Sequence, residues 1–195
     1  FYTLNTSIYA DVAIHEIAKA YTRLENNEKA IEAYQYIVNT FPNSLLKIKP
    51  QLQSGLMAFN IGNHQQSIDY LKRVIELQPS SPEANEALST LKNVYLDLKD
   101  IDSYFAYAKT VNRDVSKTEQ DTLTFLAAER IYMENKCSKA ITMLSDYVTK
   151  FPKGLFLANA EFYKGQCALK LQDTTLAVQS FAGVLNQPRN IYTIL

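Results

Sequence analysis

The sequence has no tryptophan and, in 195 residues, only five glycines and six prolines. This scarcity of turn-forming residues disfavours a β fold, which needs many turns. Lysine plus arginine and aspartate plus glutamate each number 20, so the formal net charge is zero. Proteins that bind nucleic acid usually carry a basic excess or a basic stripe, and the sequence shows neither. No apolar run approaches the ~18 residues that a membrane-spanning helix needs, so we expect no membrane insertion by this segment.

Side chains with catalytic or metal-binding chemistry are also scarce. His15 and His64 are the only histidines, and neither has a second histidine or a carboxylate cluster at metal-ligand spacing. The sequence contains no glycine-rich phosphate loop, nucleophile elbow or kinase signature. Glu28 and its acidic neighbours accompany Lys29 and are interpreted as surface ion-pair partners rather than paired catalytic acids. We therefore expect a protein that is not an enzyme and that has no cofactor or metal.

A repeat is the main feature that is present. A short apolar pattern occurs five times, and successive copies start 37, 37, 36 and 37 residues apart. A constant period of this length is typical of proteins built from stacked, nearly identical units. Prolines after apolar helical runs support the same register, because proline cannot continue a helix. The copies start at Ala30, Ser67, Tyr104, Ala140 and Ala177, and the prolines are Pro42, Pro79, Pro152 and Pro188, with Ser116 in the place of the missing one.

Each unit shows two helical patterns, named here helix A and helix B. In the first unit, apolar residues recur at spacings of three and four from Val12 to Leu24 and again from Ala30 to Phe41. Asparagine, aspartate and glycine, which suit tight turns and helix N-caps, interrupt the two patterns. We predict an all-α fold, a right-handed αα-superhelix of about five helix–turn–helix repeats. The predicted single array covers residues 1–195 as a piece of a longer protein, with repeats at about 8–44, 45–81, 82–118, 119–154 and 155–191.

These features resemble the tetratricopeptide repeat family. In that family, helix A has a position for a small residue followed by one for tyrosine, and helix B has a position for alanine followed by one for an aromatic residue. The third unit departs most, because Lys92 and Tyr104 replace small residues, and we expect the superhelix to be least regular there. In chain order, the small position is Ala18, Gly55, Lys92, Ala128 and Gly165, and the aromatic position is Tyr34, Leu71, Ala108, Leu144 and Phe181.

The last two units also resemble bacterial envelope tetratricopeptide proteins, namely the outer-membrane-barrel assembly lipoproteins and the coordinators of cell division with outer-membrane constriction. The resemblance rests on a Phe-Pro pair that is followed by alanine and then by aromatic-x-x-Gly. It implies a protein of the periplasm or associated with the outer membrane, and a cytoplasmic protein is the alternative.

The pairing of the two cysteines stays open at the level of the sequence. Cys137 lies at the start of helix B in the fourth unit, and Cys167 lies late in helix A of the fifth. In a stacked array these helices are antiparallel neighbours, so the two sulfurs can lie close together and form a disulfide in an oxidising compartment. The alternative is two small, buried thiols, and we favour this alternative.

In the family that the repeat resembles, five positions of helix A face a concave groove that binds partners. Transferring these positions gives a candidate groove that is basic at its first end and polar and acidic in its middle, where Glu86 also lies. Aromatic residues at intervals are typical anchors for a protein or peptide partner. The alternative is that they pack against the next repeat. The candidate residues are His15, Lys19, Arg23, Lys49, Leu52, Phe59, Asn60, Asn93, Asp97, Phe125, Glu129, Tyr132, Met133, Phe162, Gln166 and Lys170.

The predicted function is a non-enzymatic scaffold that binds a protein or peptide in the groove and does not bind nucleic acid. The family's two-carboxylate clamp needs lysine and asparagine where His15 and Lys19 stand, so we do not predict its ligand. Two alternatives remain. The chain is a rigid structural or self-associating segment of a larger envelope protein, or it is the docking region of an enzyme whose catalytic domain lies outside these residues.

Overall fold

The computed structural model describes residues 9–187, which form α-helices joined by short turns. The helices alternate in the order predicted for helix A and helix B, and the predicted class, an all-α solenoid of helix–turn–helix repeats, is confirmed. The helices are α1 (Ala10–Arg23), α2 (Asn27–Thr40), α3 (Ile48–Asn60), α4 (His64–Leu77), α5 (Pro82–Leu98), α6 (Ile101–Thr110), α7 (Lys117–Met133), α8 (Cys137–Lys150), α9 (Leu157–Lys170) and α10 (Thr174–Leu185).

The chain divides into two compact units, Phe1–Val94 and Tyr95–Leu195, named here the first and second half. The division falls inside α5, in the repeat that departs most from the repeat pattern. Four of the predicted repeat ranges contain one complete helix pair each, and in the other, 119–154, α7 begins two residues before the predicted boundary, at Lys117. The prediction that residues 1–195 form a single array stays a prediction. Pro188 lies outside the described residues.

Each described turn from helix A to helix B contains one residue in the left-handed region. After Arg23, for example, Glu25 has φ 56°, and the Asn26 N–H donates to the Tyr21 carbonyl at 3.0 Å. This backbone bond satisfies a carbonyl that the end of the helix leaves without a partner. The same bond recurs one period apart, so it sets the geometry of every hairpin. The left-handed residues are Glu25, Gly62, Lys99, Asn135 and Gln172.

The residue after the left-handed position caps helix B in most of the turns. The Asn26 side chain accepts from the Lys29 N–H at 3.2 Å, and the Asp173 side chain accepts from the Leu176 N–H at 2.9 Å. Lys136, at the same position before α8, makes no side-chain cap. The asparagine and aspartate breaks predicted from the sequence are therefore N-caps. Ser116, which replaces the expected proline of the third unit, is also a cap, because its hydroxyl accepts from the Glu119 N–H at 3.2 Å.

Helix A and helix B approach closely where a small residue faces a large one. A Cβ added at Gly55 would lie 2.6 Å from Leu71 Cδ2, and one added at Gly165 would lie 2.8 Å from Phe181 Cε1. The structure therefore explains why these positions take small residues. In the third unit, Ala108 is buried at the position usually occupied by the large side chain.

A buried carboxylate and phenol fix the loop between α8 and α9. Asp121 accepts from the Tyr147 hydroxyl at 2.5 Å and from the Leu155 N–H at 2.8 Å, and the Phe156 N–H donates to the same hydroxyl at 3.0 Å. Burial, together with the hydrogen bond to Asp121, raises the pKa of Tyr147 well above its usual range. A Cβ at Gly154 would lie 2.5 Å from the phenol oxygen, so the loop closes tightly over this pair.

The first half holds its corresponding loop in a related way. Asp11 occupies the same repeat position as Asp121 and accepts from the Ser44 hydroxyl at 2.5 Å, while the Leu46 N–H donates to that hydroxyl at 3.1 Å. An acidic residue near the start of helix A thus ties down the loop that follows helix B in both halves.

The two cysteines form a disulfide between the first residue of α8 and the end of α9. Their Cα atoms lie 4.9 Å apart, and both side chains are buried. The expectation of two separate thiols is therefore wrong. The antiparallel placement of the two helices brings the sulfurs together, as the alternative interpretation required.

We expect Gly62→Ala to lower the free energy of unfolding by about 1 kcal/mol. The added Cβ would meet nothing within 4 Å, so the loss comes from the backbone, which has φ +75°. Gly62→Asn should cost less, because asparagine tolerates the left-handed region. Urea denaturation measures both, and an unchanged midpoint for Gly62→Ala would contradict this account of the turn.

Tyr147→Phe should lower the free energy of unfolding by about 1–3 kcal/mol, because it removes a donor to Asp121 and the acceptor of the Phe156 N–H. Tyr21→Phe is the matched control, since half-buried Tyr21 keeps its ring near Lys29 after the change. The control should change stability by less than about 0.5 kcal/mol. Equal effects of the two substitutions in thermal or urea unfolding would show that the loop does not depend on this phenol.

Removing the disulfide by the double substitution Cys137→Ser and Cys167→Ser should lower the free energy of unfolding by about 3–4 kcal/mol, because the bridge closes a loop with a sequence separation of 30 residues. Dithiothreitol should lower the denaturation midpoint of the unaltered chain and leave the double variant unchanged. A midpoint of the unaltered chain that does not respond to the reductant would contradict the bridge.

Candidate partner-binding site

A recess of about 430 Å³ lies in the first half, between α1, α3 and the start of α5. It brings together five residues of the predicted groove, together with Thr22 and Glu86 from the same transfer of helix A positions. Three helices thus converge on one surface that the repeat pattern predicts. The lining residues are His15, Lys19, Thr22, Arg23, Tyr34, Lys49, Leu52, Gln53, Glu83 and Glu86.

The spacing of the residues along the helices accounts for this convergence. His15, Lys19 and Arg23 follow one another at intervals of four on α1, so they occupy one face of the helix. Glu83 and Glu86 are three residues apart in the first turns of α5 and share a face in the same way. Helical periodicity therefore places these polar residues of α1 and α5 on the faces that line the recess.

The floor of the recess is apolar and buried. Tyr34 of α2 is 2 % exposed and Leu52 of α3 is 3 % exposed. The His15 ring meets the Tyr34 ring edge-on at 5.9 Å between centroids. Buried side chains of this kind hold their positions, so they give the recess a fixed base for a bound side chain.

The charged groups on the walls differ in how they are already paired. Lys19 lies 2.9 Å from both carboxylate oxygens of Glu16, and this hydrogen bond lowers the pKa of Glu16. Within residues 9–187, the side chains of Arg23, Lys49, Glu83 and Glu86 form no ion pair. Four charged groups around the recess are therefore available to a partner.

Sequence reasoning missed three residues of the recess: Tyr34, Gln53 and Glu83. Tyr34 stands at the aromatic position of helix B, which packs on helix A, and its buried ring also forms part of the floor of the recess. Gln53 lies four residues after Lys49 and Glu83 three residues before Glu86, so helical periodicity around the predicted residues was the signal that could have found them.

Three further predicted residues of the first half do not line this recess. Phe59 of α3 is half-buried, with its ring centroid 6.1 Å from that of His64. Asn60 and Asn93 are exposed. Their use by a partner stays a prediction.

In the second half, the predicted aromatic anchors contact other side chains of the protein. Phe125 is 2 % exposed and stacks on Phe156 with centroids 4.5 Å apart. The expectation that it is an exposed anchor is therefore wrong, because the alternative, packing against the next repeat, applies. Tyr132 stacks on Tyr163 at 4.2 Å, and Phe162 meets another ring, Phe181, edge-on at 5.9 Å.

Polar bonds join successive A helices across the same face of the second half. The Tyr132 hydroxyl donates to Gln166, and the Tyr163 hydroxyl donates to Glu129 at 3.1 Å. Asp97 pairs with Arg130 in the same way. These partners are 33 or 34 residues apart, slightly less than one repeat period, and this offset was the sequence signal for them.

The far edge of this face is also paired. Glu134 lies 2.7 Å from both Lys136 and Lys99, which hold its pKa down at about 2. The Lys170 ammonium donates to Asn135 at 2.9 Å. Met133 is an exception, because its side chain is 61 % exposed. Most of the predicted polar residues on the helix A face of the second half therefore already contact other side chains of the protein.

Two further observations concern the described part of the chain. Residues 9–187 contain no group of three or more histidine, cysteine, aspartate or glutamate side chains placed to hold a metal ion. None of the helices in this range is both long enough and apolar enough to span a bilayer.

Tandem helix–turn–helix units with a recess on their A helices define an α-hairpin repeat protein. Residues 13–44 and 48–81 each match a family model described as tetratricopeptide repeat. The pairs α1–α2 and α3–α4 are therefore similar to tetratricopeptide repeats, as the sequence predicts for this part of the chain. The resemblance to envelope proteins stays a prediction, and no curated protein matches the chain.

Several solved structures are similar to the chain. One is MamA, residues 41 to the end, from Desulfovibrio magneticus RS-1, which is 17% identical and is matched over 90% of this chain and 93% of that chain with a TM-score of 0.45. A tetratricopeptide repeat protein from Parabacteroides merdae is 19% identical over 94% of this chain and 68% of that chain, with a TM-score of 0.40. YrrB, described as a TPR protein with an unusual peptide-binding site, is 10% identical over 89% and 84%, with a TM-score of 0.43.

Proposed function

We propose that the chain is a non-enzymatic scaffold that binds a protein or peptide segment in the recess of the first half. The observation that carries this proposal is the set of four charged side chains, without ion pairs inside the described chain, around a buried floor of Tyr34 and Leu52. Charged groups at the rim of an interface favour encounter and orientation, while a buried apolar floor supplies the area that excludes water.

The size of the recess fits this use. Its volume of about 430 Å³ lies within the range of sites that hold small ligands, roughly 300–1,000 Å³. An open recess on a helical surface accepts a few side chains of a longer segment rather than enclosing a whole molecule. A peptide that crosses α1, α3 and α5 would contact both the floor and the charged walls.

The second half supports a different role within the same protein. Its helix A face carries stacked rings and paired charges, such as Tyr132 on Tyr163 and Asp97 with Arg130. Such contacts between successive repeats stiffen a repeat array, because each repeat is stabilised by its neighbours. We propose that this half acts mainly as a rigid support, which retains the structural-spacer alternative for this part of the chain.

We also propose that the protein works in an oxidising compartment, the bacterial periplasm being the one suggested by the resemblance of its last two units. The disulfide between Cys137 and Cys167 supports this proposal, because such bonds persist outside the reducing cytosol.

A peptide-display experiment tests the binding site. A library of random dodecapeptides is selected on the full chain, and the affinity of a selected peptide is measured by fluorescence anisotropy. Gln53→Trp should weaken binding at least tenfold, because the indole fills the recess. Gln66→Trp, on an exposed position of α4 outside the recess, should bind as the unaltered chain does.

Circular dichroism of both variants controls for loss of helix. The proposal fails if no peptide is enriched above background, or if a folded Gln53→Trp variant binds the selected peptide with unchanged affinity.

A further inference from the structure

The charges around the recess are sorted by sign between its walls. Among the lysine and arginine side chains that line the recess, Arg23 of α1 and Lys49 of α3 form no ion pair in the described chain, and Lys19 is a third that Glu16 already neutralises. Both carboxylates that line the recess, Glu83 and Glu86, come from α5. The recess therefore has a basic wall and an acidic wall, and each wall belongs to different helices.

The two walls do not neutralise each other. No ion pair within 4 Å joins Arg23 or Lys49 to Glu83 or Glu86 in the part of the chain that the structure describes. A ligand of one charge would satisfy one wall and remove water from the other without replacing its hydrogen bonds, which is unfavourable. A ligand that carries both charges, in the matching order, satisfies both walls.

The geometry of helices sets a lower limit on the spacing of those two charges. Axes of helices in contact lie about 8–10 Å apart. An extended peptide advances about 3.3 Å per residue, so it crosses one helix spacing in about three residues. Lys49 belongs to α3, and Glu83 and Glu86 belong to α5, so an acidic side chain at Lys49 and a basic one at the acidic wall would be at least about three residues apart.

We propose that the recess selects an extended peptide segment in which an acidic residue and a basic residue lie at least about three positions apart, and that the two walls bind it in a single direction. This inference rests on the proposed function, because it concerns the same recess. It differs from a clamp for carboxylates alone, since the acidic wall of α5 requires a cation from the ligand.

The same random dodecapeptide library tests the proposal on three proteins: the unaltered chain, the basic-wall variant Arg23→Gln with Lys49→Gln, and the acidic-wall variant Glu83→Gln with Glu86→Gln. The unaltered chain should enrich an acidic and a basic residue at a fixed separation and in a fixed order. The basic-wall variant should lose the acidic preference and keep the basic one, and the acidic-wall variant should do the opposite.

A second measurement needs no altered protein. A selected peptide is compared with a peptide of the same composition in which the acidic and basic residues are exchanged, and the exchange should weaken binding to the unaltered chain at least tenfold. Equal affinity of the two peptides would overturn the proposed direction, and selection of purely acidic or purely apolar peptides would overturn the two-wall proposal.

The outcomes separate this inference from the proposed function. If Gln53→Trp abolishes binding but neither pair of charge substitutions changes the enriched residues, the recess binds peptides and the two-wall proposal is wrong. If the library yields no peptide, or Gln53→Trp has no effect, the recess is not the binding site and both proposals fail.

Discussion

The close contact between helix A and helix B is the constraint on which the other features depend. Where Gly55 faces Leu71 and Gly165 faces Phe181, the helices approach so closely that an added methyl group would overlap the opposite side chain. This contact fixes the roll of each helix about its axis. The left-handed residue in each turn then closes the hairpin. With one face of helix A committed to helix B, another face is free to meet neighbouring repeats or a partner.

The features set by the repeat period could be predicted from sequence, and those set by a neighbouring repeat could not. Small residues such as Gly55 and turn residues such as Asn26 recur with the repeat period, so the period locates the helix pairs and their caps in the sequence. The period also indicates which face of α7 carries Phe125, but it does not tell whether Phe156 covers that face. The bond from Tyr147 to Asp121 has no periodic signature, because it depends on the path of one loop.

The A helices of the two halves differ in how their polar and charged groups are paired. In the second half, rings and charges on the A helices are matched between successive repeats, as with Tyr163 and Glu129. In the first half, Arg23 and Lys49 face a recess and make no ion pair in the described chain. Exposed charges without an ion pair contribute little to the stability of the fold, and they can form ion pairs with a ligand. The repeat positions thus locate the candidate residues in the sequence. Whether a partner can contact them depends on which neighbouring side chains already do.

The central claim is that a partner binds the first half. The most direct test is to map the chemical-shift changes of the backbone amides when a peptide selected from the dodecapeptide library is added. The account predicts that the largest shift changes occur in α1, α3 and the start of α5, around Arg23, Lys49 and Glu83. Amides around Tyr132 and Tyr163 should change little, because those side chains already contact each other. The largest changes in α7 and α9, with none around the recess, would contradict the account.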